Sequence, residues 1–227
     1  MEILLSTLSF VIFIIMAAAV VGIIVYFVKK GQGQELQINF DLLFGVYLFL
    51  ATFVAIIALG TGVMYTVRGG MAQYFGLDFS YRQQQVSAKM VYDPMLEDYK
   101  EEDVDYEFEK DIDKKDIIRG ITLIVVSTPI LFLHLYGVKV LEKQEKAMEF
   151  VKRIYLLIGL VVFAIVGIIT LPIGIYETLQ YFLTEQATDV WAKTIPGEAL
   201  ATAIAFVPIW IYYLISYLNL TNKSSKK

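Results

Sequence analysis

The chain has 227 residues, is 57% hydrophobic and carries a formal net charge of −4, whereas soluble domains are usually about 45–50% apolar. It has no cysteine and one histidine, His134, which excludes disulfides, thiolate metal sites, iron–sulfur clusters, cysteine nucleophiles and a haem held by two histidines of this chain. The acidic balance argues against nucleic acid as a partner, and a zinc site would need carboxylates for most of its ligands, which is uncommon.

A helix needs about 20 apolar residues to cross roughly 30 Å of hydrocarbon. Five runs reach that length: Ile3 to Val28, Leu42 to Val67, Ile117 to Val138, Ile154 to about Ile175, and Ala199 to Leu218. The expected fold class is therefore all-α, a polytopic membrane protein with five transmembrane helices. Arg119, at the start of the third run, is the only charged residue inside these limits.

The first run opens with Met1-Glu2, without positive charge, and is far longer than the 7–15 apolar residues of a signal peptide. We read residues 1–30 as a retained N-terminal transmembrane helix that stops at Lys29-Lys30. The second and third runs form a first helix pair (42–140) around a long acidic loop, 68–116. The fourth and fifth runs form a second pair (150–220), and residues 221–227 form a basic tail.

The loop is dense in charge from Asp93 to Asp116. In residues 103–109, Val104, Tyr106 and Phe108 alternate with Asp103, Asp105, Glu107 and Glu109. A two-residue period suits a strand or an extended segment added to a partner's sheet edge. The competing reading is a solvated loop. The earlier part, Met71 to Met90, carries spaced aromatic residues and reads as an amphipathic segment on the membrane surface.

The two helix pairs look alike. Tyr47-Leu48-Phe49-Leu50 returns 108 residues later as Tyr155-Leu156-Leu157-Ile158. Pro129-Ile130-Leu131-Phe132 returns 79 residues later as Pro208-Ile209-Trp210-Ile211. These shifts set Tyr47 on Tyr155 and His134 on Tyr213. The second and fourth runs cross in the same direction, so the repeat would be parallel.

Basic residues gather on the cytoplasmic side of short loops. Segments 29–41, 139–153 and 219–227 together carry a net charge of about +5, and 68–116 with 176–198 carry about −9. The expected placement is a cell membrane, with the N-terminus outside and the C-terminus cytoplasmic.

Pro129 and His134, then a charged loop, then Arg153-Ile154-Tyr155-Leu156 make a further pattern. In it the chain resembles an uncharacterised family of bacterial multi-pass membrane proteins, described only as a domain of unknown function. That family pairs helices ending in Pro-x-x-x-x-His with helices led by Arg-x-x-Tyr or Arg-x-Tyr. The resemblance covers about residues 42–218 without most of 68–116. Leu131 and Leu135 stand where the family often has Trp beside the His, and Tyr213 stands where a second His is expected. The resemblance implies a multi-helix membrane fold and supplies no activity.

Five residues are candidates for function. His134 reads as a proton-relay group or lone axial ligand, or as an interfacial histidine near Lys139. Pro129 and Pro208 each remove a backbone donor and can bend a helix beside a cavity; Pro172 does the same. Glu177 sits where the fourth run meets the interface and can hold a proton or cation, and Arg119 is a candidate to pair with it across the bundle. Gly159, Gly167 and Gly174, at intervals of eight and seven, share one helix face and read as a packing surface, as do Gly60 and Gly62. Trp191, Trp210, Tyr176, Tyr181, Tyr212, Tyr213 and Tyr217 read as interface anchors.

No nucleophile-elbow, phosphate-loop, HExxH or dinucleotide signature is present. We expect no enzyme activity, no catalytic residue, no metal and no cofactor. The expected role is an accessory or structural membrane component in contact with the lipid bilayer and with other membrane proteins or further copies of itself. The alternative is a small transporter or channel whose path runs between the repeated pairs, and a third reading is a sensor working through the acidic loop.

Overall fold

A computed structural model describes residues 40–93, 98–142, 147–183 and 194–224. The first apolar run and Trp191 lie outside the described residues, which hold four candidate spans. The elements in chain order are α1 (Phe40–Phe75), α2 (Leu77–Ser80), β1 (Gln84–Asp93), β2 (Asp98–Glu107), α3 (Ile112–Glu142), α4 (Ala147–Leu183) and α5 (Pro196–Ser224). The four long helices are each long and apolar enough to cross a membrane, and the membrane part is all-α.

These helices outrun the apolar runs that announced them. α1 has 36 residues and α4 has 37, which at about 1.5 Å per residue exceeds the hydrocarbon thickness by several turns. The surplus lies mostly at the end carrying Arg68, Asp116, Glu177 and Glu198, here called the hairpin end. The opposite end carries Lys139, Lys152 and Arg153 and is called the basic end.

α1 packs most extensively on α3, and α4 on α5, with α1 touching α5 and α4 less and α3 barely meeting α4. Within each pair the helices run antiparallel, and glycines set the contact. A Cβ on Gly62 would lie 2.8 Å from the Gly120 carbonyl oxygen, and one on Gly69 would lie 2.7 Å from that of Asp113. In the second pair Gly159 lies against the Tyr213 ring, and a Cβ on Gly174 would meet the Leu200 backbone nitrogen at 3.0 Å. Between pairs, Gly60 faces Phe206. In lipid no hydrophobic drive pulls helices together, so close approach over small residues supplies the dispersion contact instead.

Two apolar clusters follow. Leu48, Phe49, Val138, Leu141 and Val151 gather at the basic end. Ile56, Leu156, Phe163 and Tyr213 form the centre, with Phe53, Phe206 and Trp210 packed around them. Tyr213 is fully buried, which corrects its reading as an interface anchor: its ring fills the space that Gly159 leaves open. Tyr176 and Tyr212 remain exposed.

The segment after α1 also departs from expectation. Gly76 has φ 103° and ψ 156°, a region essentially restricted to glycine, and it breaks α1 from α2. Residues 84–93 are a strand rather than a surface-lying amphipathic segment. They pair antiparallel with β2 from Gln84↔Glu107 to Asp93↔Asp98, with irregularities between Gln85 and Ser87 and between Lys89 and Met90. The alternating acidic stretch is thus a strand through Glu107, and its neighbour is the chain's own β1.

Candidate functional site

Three polar places interrupt the apolar bundle. At the hairpin end, Asp116 on α3 is 4% exposed. It accepts a hydrogen bond from the Tyr81 hydroxyl at 3.0 Å and lies 3.3 Å from Arg119 Nη1. Arg68 stacks over the Tyr81 ring at 4.5 Å, donates from Nε to the Ser80 carbonyl at 3.1 Å and pairs with Glu198 at 3.7 Å. Burial, reinforced by the Asp116 carboxylate, pushes the Tyr81 phenol well above its ordinary range. Nearby, exposed Glu109 and Asp111 are held below the usual carboxylate range by hydrogen bonds from Lys115 and Lys114. This knot fastens the α1–α2 turn to the starts of α3 and α5.

The sequence reading missed Arg68, Tyr81 and Asp116, because all three fell in what hydropathy marks as loop. The available signal was the i, i+3 pair Asp116–Arg119 at the edge of the third run.

The second place is the pair of tyrosine contacts between helix partners. Tyr47 on α1 lies 3.4 Å from His134 Nε2 on α3, and the Tyr213 hydroxyl on α5 donates to Tyr155 on α4 at 2.6 Å. His134 Nδ1 lies 2.7 Å from the Ile130 carbonyl oxygen. A carbonyl only accepts, so Nδ1 donates to it, which turns Nε2 toward the Tyr47 hydroxyl.

The third place is a cleft of about 320 Å³ at the basic end, to which all four long helices contribute. Its polar lining comes from Thr52, Lys139, Lys152, Tyr155, Tyr212, Ser216 and Asn219.

The five candidates do not meet in one site. Pro129 and Pro208 stand on exposed faces of α3 and α5, and neither lines the cleft. Arg119 is engaged with Asp116 and, at 5.4 Å, with the Tyr65 ring, not with Glu177. Glu177 is half-buried on α4, where Glu198 and Arg82 are the neighbouring charges. Among the described residues, no group of three or more His, Asp or Glu side chains is placed to hold a metal ion.

Six threonine hydroxyls within the spans are turned onto their own helices. Thr52, Thr66, Thr122, Thr128, Thr170 and Thr202 each donate to the carbonyl four residues earlier, at 2.6 to 2.9 Å. Ser127 differs from these, with a buried Oγ that has no partner.

Compared with known proteins, the chain matches no family model, no curated protein and no solved structure. The resemblance to the Pro-x-x-x-x-His family therefore reaches no further than its coarsest implication: this is a multi-helix protein of the membrane type.

Proposed function

We propose that this is a non-enzymatic accessory or structural component of a cell membrane, acting by packing against other membrane proteins. The observation that carries the reading is the closure of the intramembrane threonines onto their own helices. A transported anion or hydrogen-bond acceptor needs donors free to replace its hydration shell, and these hydroxyls already give their protons to backbone carbonyls. Away from the cleft at the basic end, the helix pairs meet through glycine and aromatic rings, which leaves little polar lining for a path through the centre. α3 sits at the edge of the bundle with only 11% of its apolar window buried, and presents Phe132, Leu133 and Tyr136 outward.

The same proposal includes an ancestral duplication. Under the shifts of 108 and 79 residues, Tyr47–His134 maps onto Tyr155–Tyr213, and each is a hydrogen-bonded contact. The Thr66–Gly120 contact likewise maps onto Gly174–Ala199, which also touch. Residues 3–28 are taken as a further span, with the N-terminus outside and the C-terminus in the cytosol.

The test is photo-crosslinking in the native membrane. A photoreactive amino acid at Leu133, on the outward face of α3, is expected to give a discrete adduct with another membrane protein, identified by mass spectrometry after mild-detergent purification. Adducts with lipid alone, together with solute flux in proteoliposomes of the purified chain, would overturn the proposal in favour of transport.

A further inference from the structure

We propose that the cleft at the basic end binds the phosphate group of an anionic phospholipid. Lys139 on α3 and Lys152 on α4 belong to helices that otherwise barely touch, yet both line this one cleft. On α5, Tyr212, Ser216 and Asn219 follow at intervals of four and three and so share a face; all three line the cleft. Tyr155 accepts from Tyr213, which leaves its own hydroxyl proton for a ligand. Two ammonium groups with hydroxyl and amide donors form a set suited to phosphate oxygens.

Depth selects lipid over a soluble phosphate. The apolar run of α3 ends at Val138 and that of α4 begins at Ile154, so Lys139 and Lys152 lie within two residues of the ends of the apolar runs, where headgroups are expected. The rest of the lining is largely apolar and includes Phe49, Leu156 and Leu220, and the volume of about 320 Å³ is at the small end of ligand sites. A headgroup phosphate seated there leaves its acyl chains free to run along the lipid-exposed faces. A choline headgroup would bring a cation against both lysines, so selection of anionic over zwitterionic lipid follows.

The experiment uses the full chain in phosphatidylcholine nanodiscs, with phosphatidylglycerol titrated in and retained lipid counted by native mass spectrometry. Phosphatidylglycerol is expected to be retained in preference to phosphatidylcholine. Lys139→Gln or Lys152→Gln is expected to weaken it about fivefold, and the double variant by an order of magnitude or more. Lys114→Gln, at the hairpin end, is expected to change nothing. Ser216→Ala keeps both charges and provides a second, milder variant, expected to lose about two- to fivefold. Thermal unfolding of each variant verifies that it is folded.

Equal retention of the two lipids, or undiminished phosphatidylglycerol binding in the folded double variant, would overturn the site. Displacement of phosphatidylglycerol by millimolar inorganic phosphate would overturn its assignment to lipid. None of these results depends on whether a protein partner exists, so failure here is distinguishable from failure of the accessory-component proposal.

Discussion

Gly159 lies beneath the Tyr213 ring, and any side chain there meets ring atoms that are themselves fully buried. Because Phe163, Tyr155 and Gly159 all press on that ring, it has nowhere to move without opening the α4–α5 contact. Gly159→Ala is expected to destabilise the bundle by about 1–3 kcal/mol, the usual penalty for overpacking. Gly70 has open space around its Cβ position, so Gly70→Ala serves as the matched control and is expected to be neutral or slightly stabilising. Equilibrium unfolding in mixed micelles separates the two, and equal stability of both variants would mean that the close approach is absent. The contact face itself was legible in the sequence, because the spacing of Gly159, Gly167 and Gly174 is a helical period. The burial of Tyr213 was not. A tyrosine near the end of an apolar run has the same composition signal whether it anchors in headgroups or points inward, and only the glycine opposite decides.

At the level of elements, hydropathy located the helix centres and lost the ends. α1 runs eight residues past Val67, to Phe75, and α3 begins at Ile112 rather than Ile117. Beyond the hydrocarbon a helix still satisfies its own backbone, so it continues until something stops it. For α1 the stop is Gly76, whose positive φ no hydropathy scale can register. Gly76→Ala is expected to cost about 1–3 kcal/mol, and it also sets a Cβ 2.9 Å from Asp78 Oδ1. The loss should appear first as proteolytic sensitivity around residues 76–83, before global unfolding, because the Arg68–Ser80 and Tyr81–Asp116 contacts depend on that turn. A variant as protease-resistant as the parent would show that α2 is held without it. The hairpin was half legible: β2 announced itself by alternation, whereas β1, Gln84–Asp93, lacks that alternation and was read with the membrane surface.

At the scale of the molecule, two antiparallel pairs joined side by side put residues 40, 142, 147 and 224 at one end and the hairpin at the other. The charge distribution along the sequence follows the same division, since Lys139, Lys152 and Arg153 lie at one end and the acid-rich strand β2 at the other. Membrane insertion keeps lysine and arginine of short loops in the cytosol while leaving acids largely indifferent. The basic end is therefore expected to be cytosolic, and the absence of cysteine makes this directly measurable. Lys110→Cys, exposed between β2 and α3, and Thr221→Cys, exposed in the last turns of α5, each create the sole thiol in the chain. A membrane-impermeant maleimide added to intact cells is expected to label Lys110→Cys, and to reach Thr221→Cys only after permeabilisation. Labelling of both from the same side would break the four-helix alternation itself. Labelling of Thr221→Cys alone would keep the fold and invert its orientation, which would move the lysine-lined cleft to the outer headgroups.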